Sequence, residues 1–372
     1  MLPPRDDVTA VGAHPFGEAE ALSRARLLGR RVASPRTWIA LALTTLLAGS
    51  VLYVGYVGWV GSGMLVHHER SPNCSTPADL GWEYEAVNYR IADDVILRAC
   101  NPDRLRCSDQ GQSAGDAVLT SDRIRIAGWY IPSADGDPPG APTIVLVHGL
   151  GANKSDMLRY AATLHEEFNL VLFDLRAAGR STGDVNTIGA LESRDLEAIL
   201  EWLVATKRPS AVGVLGDSGG AAAAAKLART DPRIAALVLD SVHARFEYPL
   251  EEEFPRAERL AQLGFPSLPF IWAVYAGMWV RTGSTPGDAD PIDAIPDLGT
   301  RPLMLVYGTA DTYDVPARNA AVLYEAARRA GVPVDIHPCE RAIHGQVVDT
   351  CPQQYRAWVV PFFERALGSS SG

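Results

Sequence analysis

The stretch Ala211-Val-Gly-Val-Leu215, followed by Gly216-Asp217-Ser218-Gly219-Gly220 and then by the alanine-rich run Ala221 to Arg229, decides the fold of this chain. Five apolar residues read as a buried strand, and the alanines read as a helix. Between them stands a G-x-S-x-G pattern, in which small residues permit a sharp strand-to-helix turn that exposes the Ser218 hydroxyl. A serine hydroxyl is a weak nucleophile until a base removes its proton, so the reading demands a histidine later in the chain.

Outward from this turn, short runs rich in Val, Leu and Ile recur with helical segments between them: Thr143–Val147, Leu170–Phe173, Ala236–Leu239, Leu303–Val306 and, after a helix-like stretch over Ala317–Ala330, Val334–Ile336. Continuous apolar strands alternating with helices predict a mostly parallel sheet covered on both faces. Reactive groups of such sheets lie on loops past the carboxyl ends of the strands. Upstream, Tyr84–Pro132 holds β-rich pieces such as Asp122–Ile131, expected as antiparallel strands around a polar Cys100–Gly115 loop.

Three histidines follow Ser218: His243, His337 and His344. His344 follows the last strand in a loop with Gly345 beside it and is the expected base, since His243 comes too early for the order serine, acid, histidine. The acid that orients the imidazole is expected at Asp311, directly after the Leu303–Val306 strand, with Asp314 and Asp240 as alternatives. The oxyanion of a tetrahedral intermediate needs two converging N–H groups. Leu150 in His148-Gly-Leu-Gly151 and Gly219 are expected to supply them, with His148 bracing the loop. The letters GDSGG also surround the nucleophile of chymotrypsin-like proteases. Those are β-barrels with the order His, Asp, Ser, so the match is read as coincidence.

With 372 residues and a net charge of −10, the chain has ample core and no basic field for a phosphate backbone, so nucleic acid is not an expected partner. No Cys/His spacing suggests zinc, and no cofactor is expected. Arg24, Arg26, Arg30, Arg31 and Arg36 precede a run from Thr37 to Val66 without one charged residue. Such a run predicts a transmembrane helix around Trp38–Val60, and the arginine bias predicts a single-pass cell-membrane protein with its N-terminus in the cytoplasm. The expected organisation is a basic tail over 1–36, an anchor over 37–66, a linker over 67–81 and an extracytoplasmic domain over 82–368. All five cysteines, Cys74, Cys100, Cys107, Cys339 and Cys351, follow the anchor, so disulfides are permitted. Cys100 with Cys107 and Cys339 with Cys351 are the first pairings to expect.

From Gly128-Trp-Tyr-Ile-Pro132 through Val147–Met157 and Phe173–Ser181 to the elbow, then Gly308-x-x-Asp311 and His344-Gly345, the chain resembles the α/β-hydrolase superfamily, in particular its membrane-anchored serine hydrolases. The resemblance covers roughly 86–367 and implies the α/β-hydrolase fold with the triad Ser218, Asp311 and His344. It departs at Gly219, where relatives have a large residue, at Ala177, where they have glycine, and at Pro316, one residue farther from the acid than usual. That last spacing keeps Asp314 open as the acid. The resemblance implies an esterase acting on apolar or lipid-like acyl esters. A serine peptidase or thioesterase uses the same machinery, and a catalytically silent binding module keeps the same fold. A cap insertion is expected over about 241–296. Its segment Phe265–Val280 is apolar all round, and is expected to form an acyl-binding wall with Trp272 and Trp279.

Overall fold

The apolar runs form an eight-stranded sheet in the order β1-β2-β4-β3-β5-β6-β7-β8. The computed structural model describes residues 34–87, 118–250, 268–316 and 318–368. The strands are β1 (Glu85–Val87), β2 (Gly128–Ile131), β3 (Thr143–Val147), β4 (Asn169–Phe173), β5 (Val212–Asp217), β6 (Ile234–Asp240), β7 (Leu303–Gly308) and β8 (Val334–Cys339). From β4 across to β8 every pairing is parallel, while β2 runs antiparallel to β4 and to β1. Of the expected strand Asp122–Ile131, only Gly128–Ile131 joins the sheet. Asp122 is held elsewhere, by the Arg176 guanidinium. The expected Cys100–Gly115 loop and Cys100–Cys107 pairing lie outside the described residues.

Alternation along each strand separates two cores. Val145, Val147, Val171, Phe173, Leu237 and Leu239 face one side, against helices α2 (Glu192–Thr206) and α3 (Gly219–Ala228). Ile144, Leu146, Leu170, Leu172, Ala236 and Val238 face the other, against α6 (Pro352–Leu367). Helix α5 (Ala320–Ala330) joins the first layer through Leu323 and Ala327. Because both faces are covered, β3, β4 and β5 are buried at every residue, which is why they read as unbroken apolar runs.

The uncharged segment forms one helix, α1 (Pro35–Val66), long and apolar enough to cross a membrane. Contacts divide the chain into two compact units, Met1–Tyr53 and Val54–Gly372. In the first unit the described residues 35–53 are helical and exposed. In the second unit, residues 67–81, expected as a linker, are tied down. Arg70 donates to the carbonyls of Ala178, Gly179, Ser181 and Gly183, Asn73 bonds the Asp156 carboxylate, and Trp82 stacks on His165. The region expected as a cap contributes helix α4 (Leu268–Thr282) and short turns over Pro286–Leu298. The expected wall is corrected in one respect: α4 buries Phe270, Ile271 and Met278, whereas Trp272 and Trp279 are exposed.

Candidate active site

Strand β5 ends in the turn anticipated from the sequence, and Ser218 takes φ 51° and ψ −120°, a conformation that non-glycine residues rarely adopt. The flanking glycines explain why the turn is possible. A Cβ on Gly216 would lie 2.5 Å from the Ala221 Cα, and one on Gly220 would lie 2.4 Å from the carbonyl oxygens of both Val147 and His148. The elbow is thus pressed against the end of β3, and only glycine lets the backbones approach so closely. Gly219 is under no such constraint, since an added Cβ would meet Ile188 at 3.4 Å and the Leu150 nitrogen at 3.8 Å.

That closeness brings the Leu150 nitrogen beside Gly219, 3.8 Å from where a Cβ on Gly219 would lie. The Gly219 N–H belongs to the first turn of α3, where no intrahelical acceptor exists. His148 has the bracing position expected of it: its Nε2 accepts the Leu175 N–H at 3.0 Å and its Nδ1 donates to the Gly149 carbonyl at 2.8 Å. Burial lowers its pKa and keeps it neutral, as this pattern of one donor and one acceptor requires.

His344 lies between β8 and a short helix over Val347–Thr350. Its Nε2 is 2.9 Å from the Ser218 Oγ, and its Nδ1 is 2.9 Å from the Asp311 Oδ2. The other Asp311 oxygen accepts the N–H groups of Tyr313 and Asp314, so the carboxylate is held from both ends. A disulfide joins Cys339 to Cys351 across the His344 loop. Cys74 is also disulfide-bonded.

The two alternative acids are separated by geometry. Asp314 comes within 3.6 Å of the His344 Nδ1 and is buried, with neither carboxyl oxygen hydrogen-bonded. Burial, reinforced by the Asp311 charge, pushes its pKa up to about 8, so near neutral pH it is a carboxylic acid. Asp240 makes no bond to His344. Its carbonyl accepts the Ser218 N–H, and its Oδ1 accepts the Ser241 hydroxyl, which in turn receives the Gly345 N–H at 3.2 Å. Asp240 therefore braces the elbow and the histidine loop together. For His344, burial opposes the imidazolium, but the Asp311 bond, the charge of Asp314 in its ionised form and the charges of Asp311 and Asp217 outweigh it and raise the pKa to about 9.

The other histidines are elsewhere engaged. His243 is buried beside Phe246 and pushed down to about 3 by burial and the nearby His344. His337 stacks on Trp358 with ring centroids 4.8 Å apart. Ala177, at a position where glycine was expected, has φ 59°, which explains the preference for glycine there. Several neighbours of the site escaped sequence reasoning. Asp217 packs beneath Gly345 and lies 4.0 Å from the Arg159 guanidinium, and the Tyr313 ring lies 5.0 Å from that of His344. Only the position of Asp217 inside the elbow motif signalled it. Among the described residues no group of three or more His, Cys, Asp and Glu is arranged to hold a metal.

Residues 142–270 match the sequence profile of the alpha/beta hydrolase fold family. An uncharacterized protein of Mycobacterium tuberculosis is 31% identical over 45% of this chain, which spans only 60% of that protein. Another, from Bacillus subtilis, is 26% identical over 76% of this chain and 90% of its own length. Among solved structures, an esterase of Pyrococcus furiosus superposes with a TM-score of 0.60 at 21% identity, covering 82% of this chain and 98% of the esterase. Sheet order, elbow and profile agree on the α/β-hydrolase fold, whose family the chain matches over residues 142–270.

Proposed function

We propose that this chain is a serine hydrolase, tethered to the cell membrane by α1, that cleaves carboxylic esters with apolar acyl groups. The observation that carries the reading is the unbroken chain of hydrogen bonds from the Ser218 Oγ through both nitrogens of His344 to Asp311, at 2.9 Å and 2.9 Å. With Nδ1–H donated to Asp311, Nε2 is left as the acceptor for the serine proton. Ser218 attacks the ester carbonyl as His344 takes its proton, and the Leu150 and Gly219 amides receive the negative oxygen. Collapse expels the alcohol, which leaves with the proton held by His344. Water, deprotonated by the same imidazole, then attacks the acyl-serine and releases the acid. Asp311 keeps the ring oriented and stabilises its charged form in both halves.

The preference for apolar acyl groups rests on what borders the oxyanion site. Leu150, Ile188, Phe246, Val274 and Met278 form one apolar cluster with the end of α1. The one-sided arginines before α1 support a cytoplasmic N-terminus. The test is hydrolysis of p-nitrophenyl esters of graded chain length by the full chain in detergent, beside Ser218→Ala. Turnover that rises from acetate to longer acyl chains and vanishes in the variant is expected. Absence of turnover with every ester, in a folded protein, overturns the proposal.

A further inference from the structure

Helix α4 and the part of α1 beyond Tyr53 approach each other closely through small residues. A Cβ on Gly58 would sit 2.4 Å from the Ala273 Cβ, and one on Gly277 would sit 2.4 Å from the Ser62 Oγ. Gly58 and Ser62, like Ala273 and Gly277, are four residues apart and share a helix face. Each helix thus presents two small residues to the other, which is how helices associate where lipid rather than water surrounds them. Arg281, the single charged residue of α4, turns back onto α1, donating to the Trp59 carbonyl and the Ser62 hydroxyl with its guanidinium 3.6 Å from the Trp59 ring centre.

Away from this contact the pair leaves large apolar side chains uncovered. On α4 Trp272 is 67% exposed, Trp279 62% and Val280 64%, and on α1 Tyr56 and Met64 are exposed in the same way. A contiguous surface of this kind marks a contact with protein or membrane. Here it adjoins residues 54–66 of α1, which carry no charged side chain. At about 1.5 Å per residue, α4 is too short to cross a hydrocarbon core of roughly 30 Å, so it can lie in the membrane but not span it. The inner face of the same helix leads to the nucleophile. Val274, Tyr275 and Met278 join Leu65 and Val66 in the cluster that includes Leu150 and Ile188, the residues beside Gly219.

We infer that α4 beds in the lipid beside α1, and that the substrate is an acyl ester carried by the bilayer, whose chain reaches Ser218 along this cluster. The inference rests on the proposed hydrolase activity and membrane anchor, and it adds where the substrate comes from. With one face in lipid and the other against the oxyanion loop, α4 spares a long acyl chain the passage through water.

The experiment uses the full chain in phosphatidylcholine vesicles, with and without brominated acyl chains. Loss of quenchable tryptophan fluorescence in Trp272→Phe/Trp279→Phe, which keeps the surface apolar, is expected. Equal quenching in wild type and variant overturns the inference, whether or not the protein is active. A second pair, Trp272→Glu/Trp279→Glu, is assayed on a long-chain ester embedded in the vesicles and on soluble p-nitrophenyl acetate. A drop of about tenfold or more on the embedded ester, with acetate turnover retained, is expected. An unchanged ratio of the two rates overturns the lipid-derived substrate. Wild type inactive on both esters refutes the hydrolase activity itself, while the quenching result still decides whether α4 contacts lipid.

Discussion

Asp311 and Asp314 both approach the His344 Nδ1, at 2.9 Å and 3.6 Å, and replacing each by asparagine separates their roles. Asp311 accepts the Nδ1–H directly and is fixed by two backbone amides. An asparagine there presents either an amide that forces the wrong tautomer or a neutral oxygen that no longer supports the imidazolium. Loss of the orienting carboxylate in such a triad lowers kcat by roughly 10³–10⁴, about 4–5.5 kcal/mol in activation free energy. Asp314 makes no hydrogen bond through its carboxyl and, with its pKa pushed up to about 8, is uncharged at neutral pH. Asp314→Asn should therefore lower kcat by less than about tenfold. Its clearer effect is on pH dependence. His344 acts as a base only when neutral, and its pKa is raised to about 9, so activity should rise from pH 7 towards pH 9. Asp314, once ionised above about pH 8, contributes to that raised value, so Asp314→Asn should move the rise to lower pH. The assay is kcat/KM for a p-nitrophenyl ester from pH 5 to 10 in all three proteins. A larger loss in Asp314→Asn than in Asp311→Asn, or a limb that moves to higher pH, refutes the assignment.

Neighbouring glycines of the elbow should respond differently to the same change. Gly220→Ala drives a methyl group against two backbone carbonyls at 2.4 Å and should lower stability by about 3 kcal/mol or more, read as a lower Tm or loss of soluble protein. Gly219→Ala makes only ordinary contacts, with Ile188 at 3.4 Å and the Leu150 nitrogen at 3.8 Å, and should keep both Tm and activity. Cys351→Ser opens a disulfide with a sequence separation of 12 across the His344 loop, and should lower stability by about 2–3 kcal/mol in thermal unfolding. It should also lower kcat more than it raises KM, since the histidine rather than the acyl site loses support.

The parallel sheet was legible because its central strands are buried on both faces and so read as runs rich in Val, Leu and Ile. Ser218 and His344 were legible because a strained turn and a post-strand loop both demand glycine. The acid was legible only as Asp311 with Asp314 left open, because the two lie on one tight turn around the imidazole, and spacing alone cannot tell a bonded carboxylate from a buried one. Asp122–Ile131 is rich in Ile, Trp and Tyr like a strand, yet the Arg176 ion pair holds Asp122 away from the sheet. For α4, an all-round apolar sequence carries no information about which face is covered, so the outward Trp272 and Trp279 were read as wall residues. The docking of Arg70 depends on carbonyls more than a hundred residues away, which no local pattern announces.

The central claim is that Ser218 is the nucleophile activated by His344. Its most direct measurement is covalent labelling of the full chain by a fluorophosphonate, with the modified peptide identified by mass spectrometry. The account predicts one adduct, on Ser218, that is absent in Ser218→Ala and strongly slowed in His344→Ala. A folded wild-type protein that takes no label, or takes it at another serine, would contradict it.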